Sequence, residues 1–293
     1  MKSSNLPSRG RCPAALPGVT ALAIALLAVG PATSAWALAS SWSVGHKAQA
    51  RLVAGRAAPS DGGALLAFIE IELAPGWKTY WRSPGDAGLP PEFDWSKSAN
   101  LAKADVKFPA PKHFVDKSGH TLGYEGRLFL PVAVTPEAAD RPLSLAVDVH
   151  YGICKEICVP IEANLALDIP AGEAALAPAA ALMALDRVPR PQDKVLADDP
   201  VLVRAESQLE GAAPKIVVAA KFPGNPSEAA VFLEAAGGQF LPVPAEVGEG
   251  ADGSKVFEAA LWEGFDLAAL RGKMVTVTLV GEVGASYATF AIP

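Results

Sequence analysis

Cys154 and Cys158 are the residues of this chain best equipped for chemistry. They sit in the run His150-Tyr151-Gly152-Ile153-Cys154-Lys155-Glu156-Ile157-Cys158-Val159-Pro160. The only other cysteine, Cys12, lies in a segment that reads as removable. Two thiols with no other partner make an exchanging disulfide, a passive staple or a two-thiolate metal site. A disulfide needs Cα atoms about 4.4–6.8 Å apart, whereas four extended residues step about 13 Å. The chain must therefore turn between the cysteines. Gly152 is a place for it to leave the preceding strand, and Pro160 a place for the next element to begin. The pair then occupies a loop at one end of its domain, where function usually lives.

Each arrangement has its own chemistry. A staple across so short a loop constrains the unfolded chain little and is a weak stabiliser. An exchanging pair uses one thiolate to attack a partner disulfide and the other to release it. Lys155 would favour a neighbouring thiolate and Glu156 would oppose it. A metal site built on Cys154 and Cys158, with His150 close in sequence, suits a soft ion such as Cu(I). His113 and His120 lie on a separate loop, and four clear ligands for structural zinc are missing. No cofactor motif is present: there is no glycine-rich phosphate loop, no Gly-x-Ser-x-Gly elbow and no carboxylate spacing that nominates a catalytic pair.

The elements that must position the pair are strands. Lys2, Arg9 and Arg11 precede an apolar run over residues 14–29, and Ala35-Trp36-Ala37 offers a small-x-small cleavage site, so residues 1–37 read as a secretory signal. Ala37-Leu38-Ala39 is a second candidate for cleavage. Cleavage after Ala37 moves the formal charge from −6 to −9 and leaves about 256 residues. That balance argues against nucleic acid and against docking on anionic lipid. No later stretch is long and apolar enough to span a bilayer, so an exported, soluble protein is expected. The 26 glycines and 26 prolines suit short turns better than long helices.

Period-two alternation marks strands at 68–73, 127–134, 143–151 and 165–169. Pro131 suggests an edge or bulge in the second of these. The expectation is an all-β chain with an antiparallel β-sandwich over residues 41–170. Residues 171–200 begin alanine-rich, with a helix expected over 173–187. They continue as the stiff run Val188-Pro189-Arg190-Pro191, a linker and domain boundary. Residues 201–293 form a second, smaller β-rich domain with candidate strands at 215–222, 229–235, 255–262, 274–281 and 286–292. It contains neither cysteine nor histidine, and its expected job is to support or orient the first.

One further block carries information. Residues 76–91 read Gly-Trp-Lys-Thr-Tyr-Trp-Arg-Ser-Pro-Gly-Asp-Ala-Gly-Leu-Pro-Pro, followed by Phe93-Asp94-Trp95, Ser98-Ala99-Asn100-Leu101 and Gly123-Tyr124. With Tyr151-Gly152-Ile153-Cys154 and Cys158-Val159-Pro160, these blocks resemble in order the N-terminal periplasmic domain of the DsbD/ScsB thiol:disulfide interchange proteins. The resemblance covers residues 41–170 and extends more loosely over the rest. It implies an immunoglobulin-like sandwich whose cysteine pair receives electrons from a membrane-embedded DsbD/CcdA-like reductant. The pair passes them to periplasmic thioredoxin-like oxidoreductases. Carried over, Cys154 and Cys158 are the exchanging pair, with Cys158 forming the mixed disulfide and Cys154 resolving it. The spacing here is shorter than in the best-known DsbD proteins. The membrane and thioredoxin-like domains of the family do not appear in these residues, so the resemblance implies either a separately encoded membrane reductant or a repurposed module. Trp77, Tyr80 and Trp81 read as strand packing, and residues 83–89 as a loop that shields the pair or greets a partner. A Cu(I)-binding module on the same thiolates and an interaction scaffold with an inert disulfide are the alternatives.

Overall fold

The computed structural model describes residues 38–57, 64–85, 88–116, 119–172 and 175–293. The expected signal segment and Cys12 lie outside the described residues. The first part of the chain forms β1 (Leu38–Ala39), β2 (Ser43–Val44), β3 (Ala48–Arg56), β4 (Leu65–Leu73), β5 (Lys78–Gly85) and β6 (Glu92–Asp94). It continues with β7 (Leu101–Val106), β8 (Lys112–Asp116), β9 (Gly119–Glu125), β10 (Arg127–Pro136), β11 (Leu143–Cys154) and β12 (Cys158–Ile169). One sheet runs β1-β3-β4-β10-β7 with β2 on β3; the other runs β12-β11-β5-β9-β8 with β6 on β11.

Alternation explains why the two sheets stack. Leu143, Leu145, Val147, Val149 and Tyr151 of β11 are buried, as are Leu165, Leu167 and Ile169 of β12. They meet Ile69, Ile71 and Leu73 of β4 and Leu128, Leu130 and Val132 of β10 in one core. The first sheet is apolar on its outer face as well. There Val53, Phe68 and Phe129 are covered by Ala177 and Ala181, the latter from helix α1 (Ala179–Asp186). Glu70 and Glu72 share a strand but not an environment. Glu70 is fully buried between Arg51 and Arg127, while Glu72 is exposed and bonds Gln49.

The second part contains β13 (Arg190–Pro191), β14 (Val201–Gln208), β15 (Lys215–Lys221), β16 (Ala230–Ala235), β17 (Ala245–Glu249), β18 (Lys255–Ala260), helix α2 (Leu267–Leu270), β19 (Met274–Val280) and β20 (Ala285–Ala291). They make two four-stranded sheets, β13-β20-β19-β16 and β14-β15-β18-β17, around a second apolar core. The all-β reading holds. Strands β14 and β17 escaped the sequence pattern because they are sheet edges; β17 is exposed at every position, so no buried face imposes alternation on it.

Five local expectations change. Pro131 is not at an edge, because β10 lies between β4 and β7. Its carbonyl accepts from the Lys107 amide at 2.7 Å, one residue past the end of β7, so its missing N–H costs at most the last bond of that ladder. The strand before the cysteines does not stop at Gly152; it runs through Cys154. Pro160 does not begin an element but lies inside β12, an edge strand, where proline is tolerated. The expected helix over 173–187 begins only after Pro178, with residues 173–174 outside the described residues. The extended run beyond it enters a sheet, since β13 pairs in parallel with Ser286 and Tyr287.

The two parts meet over specific contacts. Trp81 is fully buried against Phe232, with ring centroids 6.0 Å apart. Arg82 forks onto both carboxylate oxygens of Glu234 at 2.9 and 2.7 Å, the bidentate geometry that fixes orientation as well as distance. The Arg187 guanidinium donates to the carbonyls of Glu282 and Val283 at 2.8 and 3.0 Å.

Candidate functional site

Strands β11 and β12 pair without a register shift from Leu143↔Ile169 to Cys154↔Cys158. The cysteines close a hairpin whose turn is Lys155-Glu156-Ile157. Directly opposed residues of an antiparallel pair have Cα atoms about 4.5–5.5 Å apart, inside the disulfide range. The turn required between the cysteines is thus a hairpin that places both thiols on one face. Cys154 is only 2% exposed, whereas Cys158 is open to solvent. Both are free thiols in this structure.

Strand β5 supplies the floor of the site. Ile153 and Cys154 pair with Thr79 and Lys78, and the Thr79 hydroxyl donates to the Gly152 carbonyl at 2.7 Å. Alternation sends Thr79 and Trp81 into the core and Lys78 and Tyr80 to the cysteine face. The Tyr80 hydroxyl lies 3.0 Å from the Cys158 sulfur. Burial, first, and hydrogen bonds to both cysteines push the Tyr80 phenol well above its ordinary range, so it stays protonated and can donate. Burial also pushes the Cys154 thiol up, helped by its hydrogen bond to Cys158. The Tyr80 hydrogen bond and the Lys78 charge act in the opposite direction.

Glycine is required at the wall. A Cβ on Gly152 would stand 2.8 Å from the Leu89 Cβ and 3.1 Å from the Tyr80 ring. One on Gly88 would stand 2.4 Å from Pro84 and 2.8 Å from Tyr80. The segment around Gly88 and Leu89 therefore lies on the Tyr80 ring beside Gly152. It belongs to the loop expected near the pair, of which residues 86–87 lie outside the described residues. On the other side of the turn, Lys155 lies against Gly76. A cleft of about 490 Å³ is lined by His46, Pro75, Trp77 and the turn residues Lys155, Glu156 and Ile157. Ile157 is 68% exposed beside it.

The other nominated residues are dispersed. His150 shares the face of Cys154, but four residues along an unbroken strand is about 13 Å. Its side chain faces Glu162 at 3.7 Å. Side chains of these lengths do not span that gap to one ion at the roughly 2.0–2.3 Å bonds of imidazole and thiolate. His113 and His120 sit together on the β8–β9 hairpin, with Nε2 and Nδ1 3.0 Å apart. Among the described residues, no group of three or more His, Cys, Asp or Glu converges as a metal-binding set. Sequence reasoning took Tyr80 for strand packing and did not single out Lys78, yet both lie on the cysteine face. Their signal was parity: in Lys78-Thr79-Tyr80-Trp81, the residues at 78 and 80 share a face.

The family model for the N-terminal domain of the thiol:disulfide interchange protein DsbD matches residues 49–170. Residues 49–170 belong to the DsbD N-terminal family. The matched stretch contains both cysteines and all of β3–β12 except Ala48, the first residue of β3. Among solved structures, the crystal structure of the N-terminal periplasmic domain of ScsB from Proteus mirabilis is similar to this chain. It has a TM-score of 0.65 at 20% identity, covering 88% of this chain and 99% of that one. At that identity the likeness is one of fold, and it reaches past the DsbD match into the second pair of sheets. No curated protein matches the chain.

Proposed function

We propose that this protein is an exported, periplasmic electron-transfer module that passes reducing equivalents by thiol–disulfide exchange through Cys154 and Cys158. The observation that carries the reading is the asymmetry of an opposed pair: one sulfur is open to a partner and the other is buried beside it. The Cys158 thiolate attacks a partner disulfide, forming a mixed disulfide and expelling one partner thiolate, which takes up a proton. The Cys154 thiolate, having released its proton, then attacks Cys158. The intramolecular disulfide forms and the second partner thiolate leaves. The partner disulfide gains two electrons and the cysteine pair loses two. A membrane-embedded dithiol of the DsbD/CcdA kind resets the pair by the same chemistry in reverse, and thioredoxin-like oxidoreductases are the acceptors.

In this reading, residues 1–37 direct export and residues 41–170 are the redox sandwich. Residues 171–200 connect it to a second domain, 201–293, which fixes its orientation through Arg82 and Trp81. The Tyr80 hydroxyl steadies the reacting sulfur, and the Leu89 segment limits access to it.

A trapping experiment tests the assignment. Cys154→Ser should accumulate a mixed disulfide with an oxidised thioredoxin-fold protein, visible as a reducible adduct by mass, and Cys158→Ser should accumulate little. Equal trapping by both variants, or by neither, overturns the assignment of roles.

A further inference from the structure

Strand β5 joins the cysteine site to the second domain through consecutive residues. Tyr80 places its hydroxyl 3.0 Å from the Cys158 sulfur. The next residue, Trp81, packs on Phe232 with ring centroids 6.0 Å apart. Arg82 follows and forks onto Glu234 at 2.9 and 2.7 Å, its guanidinium 4.3 Å from the centre of the Trp81 ring. Phe232 and Glu234 share one face of β16. The sheet around Tyr80 gives β5 little hold at this point. Pairing with β11 ends at Thr79, and over residues 148–150 β6 takes the place beside β11. Pairing with β9 is continuous only through Tyr80 and resumes at Gly85. Residues 81–84 therefore stand in neither ladder, and backbone outside a ladder opens at low cost. The contacts that hold β5 there come from β16.

We propose that Arg82 and Glu234 are positioning residues for the exchange: by gripping β5 just past its last ladder pair, the second domain holds the Tyr80 hydroxyl on the sulfur that captures the partner. The inference rests on the exchange reading above. It gives residues 201–293 a part in the chemistry although they contain neither cysteine nor histidine. The Tyr80 ring is confined sideways by Gly152 and Leu89, but the path of the β5 backbone sets how far its hydroxyl reaches. A hydrogen bond donated to a thiolate favours the thiolate, so a loosened grip makes Cys158 harder to ionise. The other titratable and charged groups around Cys158 are Cys154 on β11, Lys78 on β5, and Lys155 and Glu156 in the turn. Glu125 lies opposite Lys78 on β9, and His150 and Glu162 face each other further along β11 and β12.

The test reads Cys158 in the reduced full chain. Its alkylation by iodoacetamide is followed by mass as a function of pH, and the midpoint of the rate profile is the readout. Tyr80→Phe should raise that midpoint by about one unit, a roughly tenfold loss of thiolate at a fixed pH below it. Glu234→Ala should raise it by about half a unit, a roughly threefold loss. Charge alone predicts the opposite sign, because removing the carboxylate leaves Arg82 as an uncompensated cation, which favours a nearby thiolate. Phe232→Leu, which shrinks the contact with Trp81, should also raise the midpoint. In the Tyr80→Phe background, Glu234→Ala should add nothing. Arg187→Met removes a contact between the same two domains that lies away from β5 and should leave the midpoint where it is. A midpoint that Glu234→Ala leaves unmoved or lowers, a further rise in the double variant, or an equal rise in Arg187→Met overturns the proposal. If Glu234→Ala does not fold, Phe232→Leu, alone and with Tyr80→Phe, decides in the same way. Alkylation reads Cys158 whether or not the pair exchanges. A parent chain that forms no Cys154–Cys158 bond when mixed with a small aromatic disulfide overturns the exchange reading, and this proposal with it.

Discussion

Gly152→Ala adds a single methyl group at the most crowded point of the candidate site. The new Cβ would stand 2.8 Å from the Leu89 Cβ and 3.1 and 3.2 Å from two carbons of the Tyr80 ring. Ordinary carbon–carbon contact is about 3.5–4.0 Å, so the shortfall is roughly 1 Å at Leu89 and half that at Tyr80. Tyr80 is buried and bonded to Cys158. Leu89 is 48% exposed and is the side that gives. Overpacking of this kind costs about 1–3 kcal/mol. In a domain of 150–250 residues, 1 kcal/mol shifts Tm by about 2–4 °C, so the expected fall is about 2–12 °C by scanning calorimetry of the reduced protein. Displacement of the Leu89 segment should also speed alkylation of Cys158 by a bulky maleimide. The double variant with Leu89→Gly removes the worse of the two contacts. It should be more stable than the sum of the single changes by at least about 0.5 kcal/mol, the scale of coupling between touching residues. Purely additive effects, or a Gly152→Ala protein that melts and alkylates like its parent, would refute the placement of Leu89 on the Tyr80 ring.

Two further outcomes follow from burial. Because burial raises the Cys154 thiol in the folded state, the native chain binds that proton more tightly than the unfolded chain does. This contribution to stability is present below the ordinary thiol range near pH 8.5 and is lost as pH rises through the folded value. Chemical denaturation should therefore show the reduced protein losing stability from about pH 8 to 10, with a shallower slope for Cys154→Ser; matching slopes would contradict this. Glu70→Gln removes the buried charge between Arg51 and Arg127. Both arginines reach solvent, so the loss should fall below the roughly 3–5 kcal/mol of a fully buried pair, at about 1–3 kcal/mol by urea denaturation. Glu72→Gln, on the exposed face of the same strand, should change stability by less than about 0.5 kcal/mol.

Much of the fold was legible because a buried sheet face imposes alternation on its sequence. Residues 143–151 showed it plainly, and β11 is where it pointed. The pattern is silent where a strand has no buried face, as at β17, or two, as over residues 65–67 of β4, where Leu66 and the neighbouring Phe68 pack in the outer cluster with Ala181 of α1. Proline and glycine misled for a related reason. Pro131 and Pro160 are tolerated by position within the sheet, and position is a tertiary fact. Gly152 marks close approach by Leu89 and Tyr80 rather than a strand end. At the site, the cysteines were visible from type and spacing alone. Lys155 was the cation that sequence proximity favoured, but pairing across strands puts Lys78 beside Cys154 and leaves Lys155 against Gly76.

The most direct test of the central claim is the redox equilibrium of the pair in the metal-free protein. It is poised in graded glutathione buffers, trapped by alkylation and read by mass at Cys154 and Cys158. Exchange through an opposed, half-exposed pair predicts a reversible two-electron transition at about −180 to −270 mV, the range of proteins that trade disulfides. A pair that stays oxidised below about −300 mV, or one that forms no disulfide at any poise, would contradict it.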